Sequence, residues 1–178
     1  MEDELGSPLP VDYKELLRNF PPGVFIPHWG TSIIVHAPMV VNGKIDYLRQ
    51  FTTEVEELSD WRDLHPEDVR HPIHPEPGGL IPWARSDRAC LFWVRNSPRP
   101  DDWTVAVSSG GIWRYDDEPV VEEFDCGAVE FLTKVTSGAI RSRVLAPDEN
   151  ESPRTSPGFS PLSAEEWASI SVKNSTES

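Results

Sequence analysis

Cysteine, cations and long apolar runs are all scarce in this chain, and each shortage removes a class of protein. With 2 Cys in 178 residues, neither a disulfide scaffold nor a cysteine-built zinc module is available. Cys90 lies inside an apolar strand pattern and Cys126 beside a helix start, so both read as free, packing thiols of a reducing compartment. Lys and Arg number 16 against 30 Asp and Glu, a formal charge of -14. That balance repels nucleic-acid phosphates and anionic lipid, and it favours basic protein partners. No apolar run approaches membrane-spanning length. The opening Met1-Glu2-Asp3-Glu4-Leu5 lacks the basic and apolar stretches of a secretory signal, so the expected location is cytoplasmic.

Catalytic signatures are missing too. There is no Gly-x-Ser-x-Gly elbow, and Gly110-Gly111 lacks the Lys and helix start of a phosphate loop. The reading is of a chain that is not an enzyme, with no catalytic residue, no cofactor and no metal assigned.

What is plentiful is proline, 18 residues, and tryptophan, 7 residues. After Pro10, the residues Tyr13, Leu16, Leu17 and Phe20 recur at helical spacing before Pro21-Pro22-Gly23. The β-branched run at 32–36 predicts a strand. From Ile45, the positions Leu48, Phe51, Val55 and Leu58 form one apolar stripe of a second helix, with Glu54, Glu56, Glu57 and Asp60 on its remaining surface. Four prolines between 63 and 79 make that stretch an irregular connector. Beyond it the period becomes two, with strands expected at 80–84, 89–94, 103–108, 111–115 and 120–124. Their short connections imply an antiparallel meander. A third helix is expected from an Asp125 cap to Gly138, then a last strand over 141–145. The fold class is therefore α+β, a single domain with a central, mostly antiparallel sheet packed by helices from both ends of the sequence.

Residues 1–8 read as a flexible N-terminus. Residues 147–178 read as a mostly disordered acidic tail rich in Pro and Ser, with a short helix at 163–171 opened by a Ser163/Glu166 capping box.

Three groups of residues invite a functional reading. His65, His71 and His74 with Glu67, Asp68 and Glu76 hold the inventory of a divalent metal site, but prolines break the segment and no second shell is defined. The exposed-loop reading is preferred. Adjacent acids at Glu56-Glu57, Asp101-Asp102 and Glu122-Glu123 point to opposite faces when they lie in strands, which suits solvation better than acid–base chemistry. As a binding surface, Asp116, Asp117, Glu118, Glu122 and Glu123 at the end of the meander present negative charge to a basic partner. Trp103 and Trp113, both flanked by charge, read as partly exposed anchors of the same surface. Trp83 and Trp93, within strongly apolar runs, read as core.

One ordered series of motifs carries a resemblance. Gly78-Gly79-Leu80-Ile81-Pro82-Trp83-Ala84 leads into Leu91-Phe92-Trp93 and then Asp102-Trp103. Upstream stand Leu9-Pro10-x-Asp12-Tyr13-Lys14 and Pro22-Gly23, and downstream Glu130-Phe131-Leu132-x-x-Val135-x-x-Gly138. The series resembles the SUKH superfamily, small α+β domains that include the fungal cell-wall assembly regulator and many bacterial immunity proteins. The pattern departs from the family at Arg88-Ala89, where a glycine is frequent, and at the Trp167 tail, which lies outside it. The resemblance implies a SUKH-like domain over 9–146. It also implies a non-catalytic role in binding another protein, foremost an immunity protein that neutralises a basic bacterial toxin domain such as a nuclease. An intracellular regulatory or signalling scaffold is the alternative, and a metal-dependent hydrolase on the histidine loop a remote one.

Overall fold

Helix α1 (Glu2–Leu5) opens the computed structural model, which describes residues 1–37, 40–41, 44–45, 47–110, 119–163 and 165–166. Glu2 accepts a hydrogen bond from the Leu9 backbone at 2.8 Å and pairs with Lys14 at 3.1 Å, while Leu5 is buried. The expected flexible start is thus a folded turn, held because Leu5 and Leu9 have a core to enter.

Helix α2 (Val11–Asn19) follows, turning Tyr13 and Leu16 inward as their spacing predicts. It ends where Pro21 and Pro22 cannot continue it. Strands β1 (Gly23–Ile26) and β2 (Ile33–Val35) are antiparallel neighbours, and β3 (Val40–Val41) pairs β4 (Lys44–Ile45). The second expected helix is accordingly shorter at its start. Ile45 belongs to a strand, Leu48–Phe51 is a 3-10 turn, and α3 (Thr52–Leu64) takes the rest.

Strands β5 (Ile81–Arg85), β6 (Cys90–Val94), β7 (Thr104–Ser108) and β8 (Val121–Phe124) form the expected meander. They are followed by α4 (Ala128–Ser137) and β9 (Gly158–Pro161). The large sheet has the order β8-β7-β6-β5-β2-β1-β9, and every pair in it is antiparallel. The fold is therefore α+β, as composition and periodicity predict. The expected strand at 111–115 lies outside the described residues.

Trp83 is the extra residue of a bulge between Pro82 and Ala84, and it lies on the same side of the sheet as Trp93. The two indoles stack with centroids 6.0 Å apart, and the Tyr13 ring of α2 stands edge-on to Trp93 at 4.8 Å. Both tryptophans are fully buried, and neither indole N–H has a hydrogen-bond partner among the described residues. Phe92 and Cys90, the alternate residues of β6, turn instead toward α3.

Three further expectations are corrected. Helix α4 starts at Ala128 rather than near Asp125, because its cap comes from another helix: Asp12 Oδ2 accepts from the Val129 backbone at 3.3 Å. Asp101 plays the same part for α2, accepting from Val11 N at 2.7 Å. Residues 141–145 form a turn, not a strand, since Ser142 Oγ accepts from Leu145 N at 3.1 Å and its carbonyl accepts from Ala146 N at 2.9 Å. The sheet also extends past the expected boundary at 146 into the supposed disordered tail. Strand β9 pairs with β1 from Gly23↔Pro161 to Ile26↔Gly158, and Phe159 meets Phe20 at 5.1 Å and Phe25 at 5.0 Å. A composition poor in apolar residues concealed one aromatic anchor. The expected capping box does form, with Ser163 N donating to Glu166 at 2.7 Å and Glu166 N to Ser163 Oγ at 3.2 Å.

Candidate functional site

Of the seven residues expected to build a partner surface, Asp116, Asp117, Glu118 and Trp113 lie outside the described residues. Trp103 is 3% exposed, so it is no exposed anchor. The preceding 3-10 turn (Pro100–Asp102) carries the flanking aspartates outward, and the ring turns in to donate its Nε1–H to the Ser97 carbonyl at 2.9 Å. The guanidinium of Arg95 lies 5.5 Å from the ring centroid. Glu122 is engaged internally, accepting from Ser142 Oγ at 2.6 Å and Val144 N at 3.3 Å, which ties the 141–145 turn to β8. Glu123, next along the strand, points the other way, is exposed, and meets His71 at 2.9 Å.

The histidines do not converge. His71 faces Glu123, His65 lies beside the Trp61 ring and 3.8 Å from Glu67, and His74 sits where its backbone N donates to the Leu80 carbonyl. Among the described residues no group of three or more His, Cys, Asp or Glu is placed to hold a metal ion. Burial raises the pKa of both thiols, Cys90 well above its usual range, which favours the protonated thiol over the thiolate. No helix among the described residues is long and apolar enough to cross a membrane.

A buried polar cluster lies where β2 ends. His36 is fully buried; its Nδ1–H donates to the Gln50 side-chain oxygen, and its backbone carbonyl accepts from Tyr13 Oη at 2.5 Å. Tyr47 Oη donates to the Pro82 carbonyl at 3.0 Å. Desolvation, with a lesser contribution from the Arg85 charge, lowers the His36 pKa to about 4. In the unfolded chain it is about 6.5. Between those values the unfolded state binds more protons, so stability is whole above the upper one and falls as pH drops toward the lower. Acidification from pH ~7 to ~4.5 is expected to remove about 2 kcal/mol through this residue. Urea denaturation across that range checks the loss, and the ring proton signals of His36 should stay in the neutral form until close to pH ~4.

The one strongly charged face whose geometry is described belongs to α3. Its sequence, TTEVEELSDWRDL, carries Glu54, Glu56, Glu57, Asp60 and Asp63 against a single cation, Arg62. Leu58 is fully buried, and Trp61 donates its Nε1–H to Asp68 at 3.1 Å, so one side of the helix is committed to the core. Arg62 is taken by Glu76 through contacts of 2.5 and 3.3 Å, and Glu54 by Arg85 at 3.4 Å. Glu56, Asp60 and Asp63 are exposed, and none forms an ion pair with a described residue. Spaced at i, i+4 and i+7, they make one acidic ridge. The sequence displays these carboxylates plainly; what it hides is that their only helical cation is occupied elsewhere. No family model matches the chain, and no curated protein or solved structure matches it either.

Proposed function

We propose that this chain is a non-catalytic protein-binding domain of the cytoplasm, an immunity protein that neutralises a basic toxin domain, of which a nuclease is the fitting class. The observation that carries the reading is the ridge of Glu56, Asp60 and Asp63, exposed and without ion pairs among the described residues on a chain of net charge -14. Unpaired carboxylates aligned on a rigid helix create a negative potential that imitates a phosphate backbone. Such a surface draws a nucleic-acid-binding partner at a steered rate and competes with its substrate. The SUKH-like motif series supports the same role.

The test is association with a basic toxin domain encoded beside this chain. The triple variant Glu56→Lys, Asp60→Lys, Asp63→Lys is expected to slow association by about tenfold to a thousandfold at low salt, with a smaller change in dissociation rate. Raising salt from about 0.05 to about 0.3 M should narrow the gap. Thermal melting of the variant verifies that the fold survives, since all three side chains are exposed. Binding no tighter than that of a control protein of equal charge would overturn the proposal.

A further inference from the structure

Behind the acidic ridge, where the start of α3 faces the β5–β6 turn and the end of β7, lies a hollow of about 180 Å³. At roughly 30 Å³ per water it has room for a group of several heavy atoms. Its floor is apolar, made by Cys90 and Phe92, and its rim carries Glu54, Glu57 and Asp87. Arg88 also borders it, with its Nε–H donating to the Val144 carbonyl at 2.7 Å.

Two lining groups are left with unused capacity. The first is the Glu57 carboxylate, which makes no hydrogen bond or ion pair with a described residue. It lies close against Gly110: a Cβ built there would stand 3.4 Å from Glu57 Oε2. Burial, and secondarily the charge of Glu54, raise its pKa, the mark of a carboxylate that has lost water without gaining a counter-charge. The second is Ser109, 5% exposed, whose Oγ has no hydrogen-bond partner among the described residues. The neighbouring hydroxyl is fully used, Ser108 Oγ donating to the Val120 carbonyl at 2.7 Å and accepting from Gly110 N at 3.1 Å.

A buried hydroxyl and a partly desolvated carboxylate left without partners are costly unless an occupant satisfies them. An anion would meet the Glu57 and Asp87 carboxylates on the rim, where Glu54 is already paired with Arg85 at 3.4 Å. A bare metal ion lacks the converging ligands it requires. What remains is a cation that carries several N–H donors and an apolar stem to lie on Phe92. We infer that this hollow binds an organic cation, an alkylguanidinium or alkylammonium head group held by the Glu57 carboxylate and the Ser109 hydroxyl, supplied free in solution or at the tip of a basic side chain. The site goes beyond the toxin reading, because a free cation fills it with no partner present.

Titration of the full chain, followed by backbone amide chemical shifts, tests this with three probes. Agmatine supplies the free cation, N-acetyl-arginine methylamide the same head group on a peptide, and butylurea a neutral analogue. Saturable shifts at Ser109 and Gly110 are expected with agmatine and none with butylurea. Glu57→Gln, which removes charge at constant volume, should weaken agmatine about tenfold, and Ser109→Ala by a smaller factor. Blocked arginine binding as tightly as agmatine assigns the site to a basic side chain; agmatine alone binding assigns it to a free metabolite-like amine. No saturation by either cation up to about 50 mM, a range already far weaker than millimolar recognition, would overturn the inference, as would affinity unchanged in Glu57→Gln. Neither failure touches the association of a toxin with the outer ridge.

Discussion

Trp93→Ala is expected to remove about 3 to 5 kcal/mol of folding stability, a large part of the 5–15 kcal/mol that a domain typically possesses. Trp93 is fully buried on β6, paired in register with Ile81 on one side and Val105 on the other. Its indole touches three aromatic neighbours, Tyr13 at 4.8 Å, Trp83 at 6.0 Å and Trp103 at 6.3 Å. Truncation therefore opens a cavity that rigid strands on both sides cannot close, which is the condition under which large-to-small changes cost most. One offset is present: the indole N–H has no partner among the described residues, so its removal recovers the penalty of a buried unsatisfied donor. Trp93→Phe isolates that term by keeping an aromatic edge against Tyr13, and it should lose less than half as much as the alanine variant. Urea denaturation of both variants gives the comparison; equal losses would show that the ring contacts are not what holds the sheet to α2.

The elements legible in the sequence are those whose signal is local. Tyr13 and Leu16 announce α2 by spacing, and β5, β6 and β7 are apolar runs that alternate between two faces, both of them buried. The unread elements depend on partners far along the chain. The α4 cap is supplied by Asp12, 117 residues away from Val129, so no inspection of residues 120–130 finds it. Strand β9 has Phe159 as its sole large apolar residue, and its ordering rests on Phe20 and Phe25. Composition rightly registers how little apolar area the segment contains, and it misses that one aromatic suffices when a half-built aromatic cluster awaits it.

The candidate site shows the same division. Aspartates before Trp103 suggested exposure, yet a 3-10 turn separates their direction from that of the ring. Glu122 and Glu123 look equivalent as letters. Alternation sends one to the Ser142 hydroxyl and the other to His71, and only the path of the 141–145 turn decides which carboxylate is spent on structure. The acids of α3 read as solubilising charge because the sequence does not reveal that Arg62 bends to Glu76, across 14 residues, instead of neutralising its own helix.

Gly30→Ala is expected to cost about 3 kcal/mol or more, through two effects at one atom. Gly30 has φ +84, and an added Cβ would stand 2.2 Å from the Leu145 carbonyl oxygen and 2.6 Å from its carbon, backbone atoms with little freedom to yield. The same residue anchors the C-terminal segment. Its N–H donates to the Glu151 carboxylate at 3.1 Å, and its carbonyl accepts from Arg154 at 2.7 and 3.1 Å, which delivers β9 to the edge of β1. Displacing Leu145 from Gly30 also disturbs the 3.1 Å bond from Thr31 N to the Leu145 carbonyl. Gly78→Ala is the control: φ is +75, similarly strained for an L residue, but its added Cβ meets nothing within 4 Å. That variant should lose only about 1 to 2 kcal/mol, and the difference between the two isolates the close approach. Hydrogen exchange adds the location, with faster exchange expected at Gly23–Ile26 and Gly158–Pro161 in Gly30→Ala and little change in β6 and β7. Should Gly30→Ala lose no more than Gly78→Ala, residues 147–161 are not held across Gly30, and β1 rather than β9 is the true edge of the sheet.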